Sequence, residues 1–313
     1  MGDHELYSLA SHLGGGKILD AREFRMEKIL GKGGFGNVYQ AIHIPTGTLV
    51  AAKELFIEEM DEENLESFTR EIDILGRCRH PFLLHLIGFT VQKPYTIFTP
   101  YIPHGSLYNH IHHSAIEPKL PPTNLSIIAM GIAYAMMHLH EMGVIHRDLK
   151  SPNVLLDNKY LPYVCDFGIA RHVAKKNDEL TRDCGTTGWM APEQMKSHKY
   201  DNKVDVYSYG MILYEMISGY YPFEGKSTLD IAIALKNGKR PKLPDGNESI
   251  KNLIKQCWDQ NPKKRPPFKD IYQLFLDQKV MFDDTNPKGI RAMASLTRKE
   301  EEFLAQLARE SKK

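Results

Sequence analysis

The sequence predicts an α+β fold in two unequal parts, a small β-rich one followed by a larger, mainly helical one. Three observations predict it. Residues 24–54 hold short β-like runs broken by glycines and by the turn Pro45-Thr46-Gly47. Beyond Gly105 the texture is helical, with 125–142 and 204–218 apolar around most of their circumference, as helices buried on all sides are. A chain of 313 residues is also near the limit of what one core can organise, so two lobes are the natural solution.

In chain order, residues 1–23 carry scattered leucines (Leu6, Leu9, Leu13) and then the flexible break Gly14-Gly15-Gly16. Strand-like runs around Val38-Tyr39 and Leu49-Val50 follow. Over 61–76 the period changes: Leu65, Phe68, Ile72 and Leu75 recur at helical spacing, which predicts an amphipathic helix. Runs at 83–89 and 95–101 predict two more strands. Joints at Pro121-Pro122, 219–225 and Pro266-Pro267 separate the later helices. Residues 281–313 are polar and predict a terminal helix opened by a capping box of Thr297 and Glu300, with a solvated surface.

Composition excludes several classes. With 42% hydrophobic and 25% charged residues the chain is neither disordered nor collagen-like. Forty basic against thirty-nine acidic residues leave +1, so bulk nucleic acid and anionic membrane are not expected as partners. Cys78, Cys165, Cys184 and Cys257 are scattered, with no CxxC pair, which predicts reduced thiols and no zinc site. Residues 1–10 lack the apolar run of a signal peptide and no segment reaches the length of a membrane span, so a soluble, cytoplasmic protein without membrane insertion is expected.

Two segments resemble phosphate loops. Gly31-Lys32-Gly33-Gly34-Phe35-Gly36 fits G-x-G-x-x-G, a weak signal alone. A dinucleotide site would need a helix directly after it, yet residues 37–42 run into a turn and a second strand. The alternatives are a glycine hairpin whose amides lie over phosphates and a plain glycine-rich turn. Gly225-Lys226-Ser227 imitates the end of a P-loop, but Tyr220, Tyr221, Pro222 and Phe223 are too bulky to wrap amides around phosphate, and it is rejected.

Charges stand where the pattern wants none. Lys53 interrupts the apolar run 49–56, and Glu71 lies on the apolar stripe between Phe68 and Leu75. Burying either alone would cost roughly 3–5 kcal/mol, so an ion pair kept for function is one reading, and two solvated flank residues the other. Further on, His146-Arg147-Asp148-Leu149-Lys150-Ser151-Pro152-Asn153 sits between apolar stretches, and Asp166-Phe167-Gly168 follows Tyr163-Val164-Cys165. Two carboxylates and an amide at strand-like ends have the chemistry to hold magnesium and accept a hydroxyl proton.

Taken together these motifs resemble those of the eukaryotic protein kinases over residues 24–278, and the set is collectively specific. The resemblance implies a bilobal fold, an N-lobe at 24–102 and a hinge with C-lobe at 103–278, flanked by an extension (1–23) and a tail (279–313). It implies ATP and Mg²⁺ as cofactors, and protein Ser/Thr hydroxyls as acceptors. Leu30, Gly31, Lys32, Gly33, Gly34, Phe35, Gly36 and Val38 would cover the nucleotide. Lys53 would hold phosphates and pair with Glu71. Thr99 would be the gatekeeper, the backbone at Pro100 and Ile102 would meet adenine, and Val38, Ala51 and Leu155 would sandwich the base. Asp148 would be the catalytic base, Lys150 a γ-phosphate contact, and Asn153 and Asp166 the metal ligands.

By the same resemblance Glu193 of Ala191-Pro192-Glu193 would pair with Arg265, Asp205 would brace the catalytic loop, and Leu75, Leu86, His146 and Phe167 would stack. Lys150 after His-Arg-Asp-Leu and the segment Gly185-Thr186-Thr187-Gly188-Trp189-Met190 resemble the serine/threonine type of the tyrosine-kinase-like group. Pro100 departs from the usual acidic hinge residue. A tyrosine or dual-specificity enzyme is the nearest alternative, a pseudokinase scaffold a more distant one. Thr181, phosphorylated by an upstream kinase or by the chain itself, would pair with Arg147, or stay a plain loop residue. His110, His112 and His113 are read as a solvated helix face rather than a metal cluster, and Cys165 as a small packing residue.

Overall fold

A computed structural model describes residues 2–14, 16–33, 36–57, 60–113, 119–168, 170–172, 187–195 and 200–310. The chain opens with α1 (Gly2–His12), then β1 (Phe24–Lys32), β2 (Gly36–His43) and β3 (Thr48–Leu55). Next come α2 (Glu62–Arg77), β4 (Gly88–Phe89) and β5 (Thr96–Pro100). These strands form one antiparallel sheet in the order β1-β2-β3-β5-β4. The face turned away from α2 carries a small separate cluster of Phe24, Ala41, Val50, Ala52 and Phe98, with Phe24 and Phe98 stacked at 3.9 Å between ring centroids. Helix α2 starts where Asp61 accepts a hydrogen bond from the Asn64 amide at 2.8 Å, satisfying one of the unpaired donors of the first turn.

The helical part follows: α3 (Leu107–His112), α4 (Pro122–Glu141), the ribbons β6 (Val144–Ile145) with β9 (Arg171–His172) and β7 (Val154–Leu156) with β8 (Pro162–Val164), then α5 (Lys203–Ser218), α6 (Thr228–Lys236), α7 (Glu248–Cys257), α8 (Phe268–Leu276) and α9 (Pro287–Glu310). Helices α4 and α5 are sheathed on all sides, and Met130, Met136, Ile212 and Leu213 are fully buried. Pro122 opens α4, where a missing N–H costs nothing, and Gly219 closes α5 in the left-handed conformation at φ 71°. Ser227, the last residue of the rejected P-loop imitation, caps α6 through a capping box with Asp230. No helix among the described residues is long and apolar enough to cross a membrane.

Two expectations about the elements are corrected by the structure. Residues 83–87 do not form a strand: only Gly88 and Phe89 are in register with β5, because Phe82, Leu83, Leu84 and Leu86 are drawn inward as buried plugs instead. The terminal helix begins ten residues before the proposed cap. Thr297 is buried in mid-helix and accepts a 2.6 Å bond from the Tyr272 hydroxyl, while Ile290 and Met293 seat α9 against the helical lobe. An i, i+3, i+7 stripe of Ile290, Met293 and Thr297 was enough to bury a face that its many charges disguised.

Candidate active site

Strand β3 brings Lys53 to the cleft side of the sheet, in register with Val38 on β2 and Ile97 on β5. Its ammonium donates to Glu71 of α2 at 2.7 Å and to Asp166 at 3.3 Å. The paired reading of the two misplaced charges therefore holds, and a third charge joins them. Burial works against the charge of Lys53, but Glu71 and Asp166 together outweigh it and hold its pKa above the ordinary lysine value. Burial would likewise raise Asp166; Lys53 and His146 pull it the other way, and its carboxyl stays below the usual range. Asp166 sits at φ 65° and Arg147 at φ 72°, in the left-handed region that non-glycine residues enter at a cost and keep where the surroundings demand it.

The catalytic-loop candidates gather around Asp148. Lys150 donates to its carboxylate at 2.6 Å, and the Asn153 amide donates to its carbonyl at 2.9 Å and its carboxylate at 3.2 Å. Asp205, fully buried in α5, fixes this loop from below: it accepts from the amides of His146 (2.9 Å) and Arg147 (2.8 Å) and from the His140 ring (2.8 Å). Burial opposes its charge, yet the bond from His140 and the amide bond keep its carboxyl low. His146 and Phe167 lie ring to ring at 5.3 Å, and both are buried with Leu75 and Leu86, the four positions expected to stack.

Of the positions expected around the nucleotide, Val38, Ala51 and Thr99 share the sheet face of Lys53. Leu30 is exposed at the end of β1, where the pairing to β2 slips between Ile29 and Gly31. The Gly33 amide donates to the Gly36 carbonyl at 2.9 Å, so the segment is a hairpin between strands and not a strand-to-helix turn. Gly36 is required: a Cβ there would fall 2.2 Å from the backbone carbonyl oxygen of Glu54. Ala51 pairs with Thr99, Val50 with Pro100, and Leu155 bridges to Ser106 just past the half-buried Ile102. Lys32 belongs to β1; Gly34 and Phe35 lie outside the described residues, as do Thr181, Thr186 and Cys184.

Cys165 is half-buried and its thiol donates to the Asn153 carbonyl at 3.4 Å. Burial and then the neighbouring Asp166 push that thiol up, which leaves a packing residue rather than a nucleophile. Arg265, fully buried, forks onto Glu193, with 2.9 Å between one nitrogen and Oε2. Among the described residues no group of three or more acidic, His or Cys side chains could hold a metal ion by itself.

One functional group escaped the sequence reading. Glu215 of α5 is fully buried and accepts three bonds, from Ser151 (2.7 Å), Trp189 (2.5 Å) and His112 (2.9 Å). It ties the catalytic loop and the Trp189 segment to one helix. Burial still holds its carboxyl above the usual value, against the pull of the three donors. The signal was available: a carboxylate within the mostly apolar run 206–217 of a buried helix is the same anomaly that exposed Lys53. The expectation that His112 belongs to a solvated face is accordingly corrected, since its ring closes over Glu215 with 12% of the side chain exposed.

Comparison with known proteins matches residues 24–275 to the protein kinase domain. A probable serine/threonine-protein kinase of Dictyostelium discoideum is 38% identical over 256 residues, 80% of this chain and 27% of that protein. Serine/threonine-protein kinase STY17 of Arabidopsis thaliana is 32% identical over 259 residues, covering 82% of this chain and 45% of the relative. Serine/threonine-protein kinase CTR1 of the same plant is 35% identical over 257 residues, with 80% and 31% covered. The chain thus spans less than half the length of these curated relatives. Their printed class agrees with the serine/threonine type that the catalytic-loop strings resemble. With the domain matched across most of its length, the chain belongs to the protein kinase domain family.

Proposed function

We propose that this chain is a serine/threonine protein kinase, with residues 24–278 as its catalytic unit, that transfers the γ-phosphoryl group of ATP to protein hydroxyls. The observation that carries this reading is the connected set of contacts from Glu71 through Lys53 to Asp166, beside the Asp148–Lys150–Asn153 cluster. Phosphoryl transfer asks little covalent chemistry of a protein; positioning and electrostatic stabilisation do most of the work. Lys53, held charged by its two carboxylates, takes the α- and β-phosphates. Amides of residues 31–36 cover the phosphate chain, with Leu30, Val38, Ala51 and Leu155 against the base and Thr99, Pro100 and Ile102 along its edge. Asp148 orients the acceptor hydroxyl and takes its proton, and Lys150, already on the Asp148 carboxylate, meets the γ-phosphate.

The residues present fit Mg²⁺. Asp166 and Asn153 offer hard oxygen donors, the Asp166 side chain is 45% exposed, and magnesium is commonly held by one or two protein ligands with phosphate oxygens and water completing the shell. When bound, the ion supplies neutralisation of phosphate charge. Protein substrates are the partners of this reading, regulation at Thr181 by another kinase or by the chain itself belongs to it, and scattered reduced cysteines suit a cytoplasmic setting.

The test is Asp148→Asn. Turnover on a generic protein substrate should fall on the order of 10²–10⁴-fold while nucleotide affinity stays unchanged, with label in the wild type recovered as phosphoserine or phosphothreonine. Wild-type turnover in the variant overturns the assignment of the base, and label recovered as phosphotyrosine overturns the hydroxyl class.

A further inference from the structure

The segment before β1 has no part in the chemistry above, yet it is built into the small lobe. Leu6 is fully buried and Ala10 nearly so on one face of α1, and Leu13, just past its end, continues their i, i+4, i+7 spacing. That face meets α2; α1 is the principal packing neighbour of α2 among the regular elements. After the turn the chain straps itself to the sheet edge. The Leu19 amide donates to the Phe89 carbonyl at 2.9 Å, the Phe89 amide returns a 2.8 Å bond to the Lys17 carbonyl, and the Lys17 ammonium reaches the carbonyl of Leu86 at 3.0 Å.

Two glycines make room for this segment. Gly76 lies inside α2, where glycine weakens a helix relative to alanine. A Cβ there would stand 2.6 Å from Leu13 Cδ2. A Cβ at Gly88 would fall 2.6 Å from the Lys17 carbonyl oxygen and 2.5 Å from Leu19 Cδ1. Neither glycine has a positive φ to explain it. Close approach of Leu13 in one case, and of Lys17 and Leu19 in the other, is what they provide.

The direction of the contact matters. At about 100° per residue, Gly76 and Glu71 lie roughly 140° apart around α2, so α1 presses on the side of the helix away from the carboxylate that holds Lys53. Leu65 and Ile72, both buried, share the α1-facing side with Gly76. We infer that α1 is a brace: Leu6, Ala10 and Leu13 are positioning residues that act through α2, keeping Glu71 within 2.7 Å of Lys53. The inference rests on the kinase reading, because only there does the Lys53–Glu71 pair set the rate.

The test is made in the full chain with Leu6→Glu, which places a charge in the α1–α2 seam, with Leu6→Met as the conservative control and Gly76→Leu as the approach from the other side. A 1 Å misplacement of a positioned group is enough to cost up to about a hundredfold in rate. Leu6→Glu and Gly76→Leu should therefore lower kcat/KM for ATP at least about tenfold, and Leu6→Met should leave it unchanged. In a Glu71→Ala background, Leu6→Glu should have little further effect, since the brace has nothing left to position. Equal losses in both backgrounds, or none in either, overturn the brace. Hydrogen exchange supplies a second readout independent of turnover: amides of residues 65–76 should exchange faster in Leu6→Glu and not in Leu6→Met, and unchanged exchange overturns the proposal even if the chain transfers no phosphate. An inactive wild type with accelerated exchange in Leu6→Glu would instead sink the kinase reading and leave the brace standing.

Discussion

Single side chains in this molecule do their work by accepting several donors at once. Asp205 collects the amides of two loop residues and a histidine ring, and Glu215 collects a serine, a tryptophan and a histidine. Buried acceptors of this kind are costly to disturb, because each donor left behind is stranded without water. Glu215→Gln keeps the shape but turns one oxygen into an NH₂ that faces a donor. It should lower stability by about 1–3 kcal/mol, read as a shift of the denaturation midpoint at constant slope, and raise KM for protein substrate through the loosened Trp189 segment. A silent variant would show that the three bonds are incidental. Lys53, Glu71, Asp148, Asn153 and Asp166 were legible in sequence because each is a charged or amide group breaking an apolar pattern. Glu215 obeys the same rule, but no motif marks it, whereas Asp205 of the same helix stands in a recognisable string. Its partner His112 was beyond reach: nothing in a run of three histidines tells which of them turns inward.

At the scale of elements, legibility follows whether a segment's partner is local. Helices α2, α4 and α5 and strands β1–β3 and β5 announce themselves because their period and their stop signals are within the segment. The stretch 83–87 looks like a strand, but its backbone is recruited elsewhere: the Leu84 amide bonds to Val164 and the Leu86 amide to Leu75. Helix α9 hides its apolar stripe among lysines and glutamates, and α1 shows its own only through three leucines and an alanine. The start of α2 yields a direct check. Asp61→Ala removes the cap on the Asn64 amide, and should cost about 1 kcal/mol, seen as a lowered midpoint of thermal unfolding. An unshifted midpoint would mean that this helix is held by packing alone.

The whole molecule carries a record of its buried histidines. His80 stacks on His138 at 5.0 Å and lies tilted against Tyr134 at 4.4 Å, and its Nδ1 accepts the Phe82 amide. Burial, and then His138, push its pKa down to about 3 from 6.5. The folded protein therefore refuses a proton that the unfolded chain accepts below about pH 6.5. Stability is at its full value above that pH and is lost progressively as pH falls toward 3. From pH 7 to pH 5 the loss from this group alone should be about 2 kcal/mol, measurable by denaturant titration at the two pH values. His80→Leu should flatten that difference whatever it does to the absolute midpoint. An unchanged slope would place the acid sensitivity in other groups.

The two glycine seats have a practical consequence for anyone trimming this polypeptide. Cutting at residue 24 and after 275, where the domain match begins and stops, would remove Leu6, Leu13 and Leu19 from the small lobe and Ile290 and Met293 from the large one. Both cuts would bare apolar side chains that these segments cover. Such a fragment should be stickier and slower than the longer polypeptide, so recombinant boundaries are better drawn outside α1 and α9 than along the edges of homology.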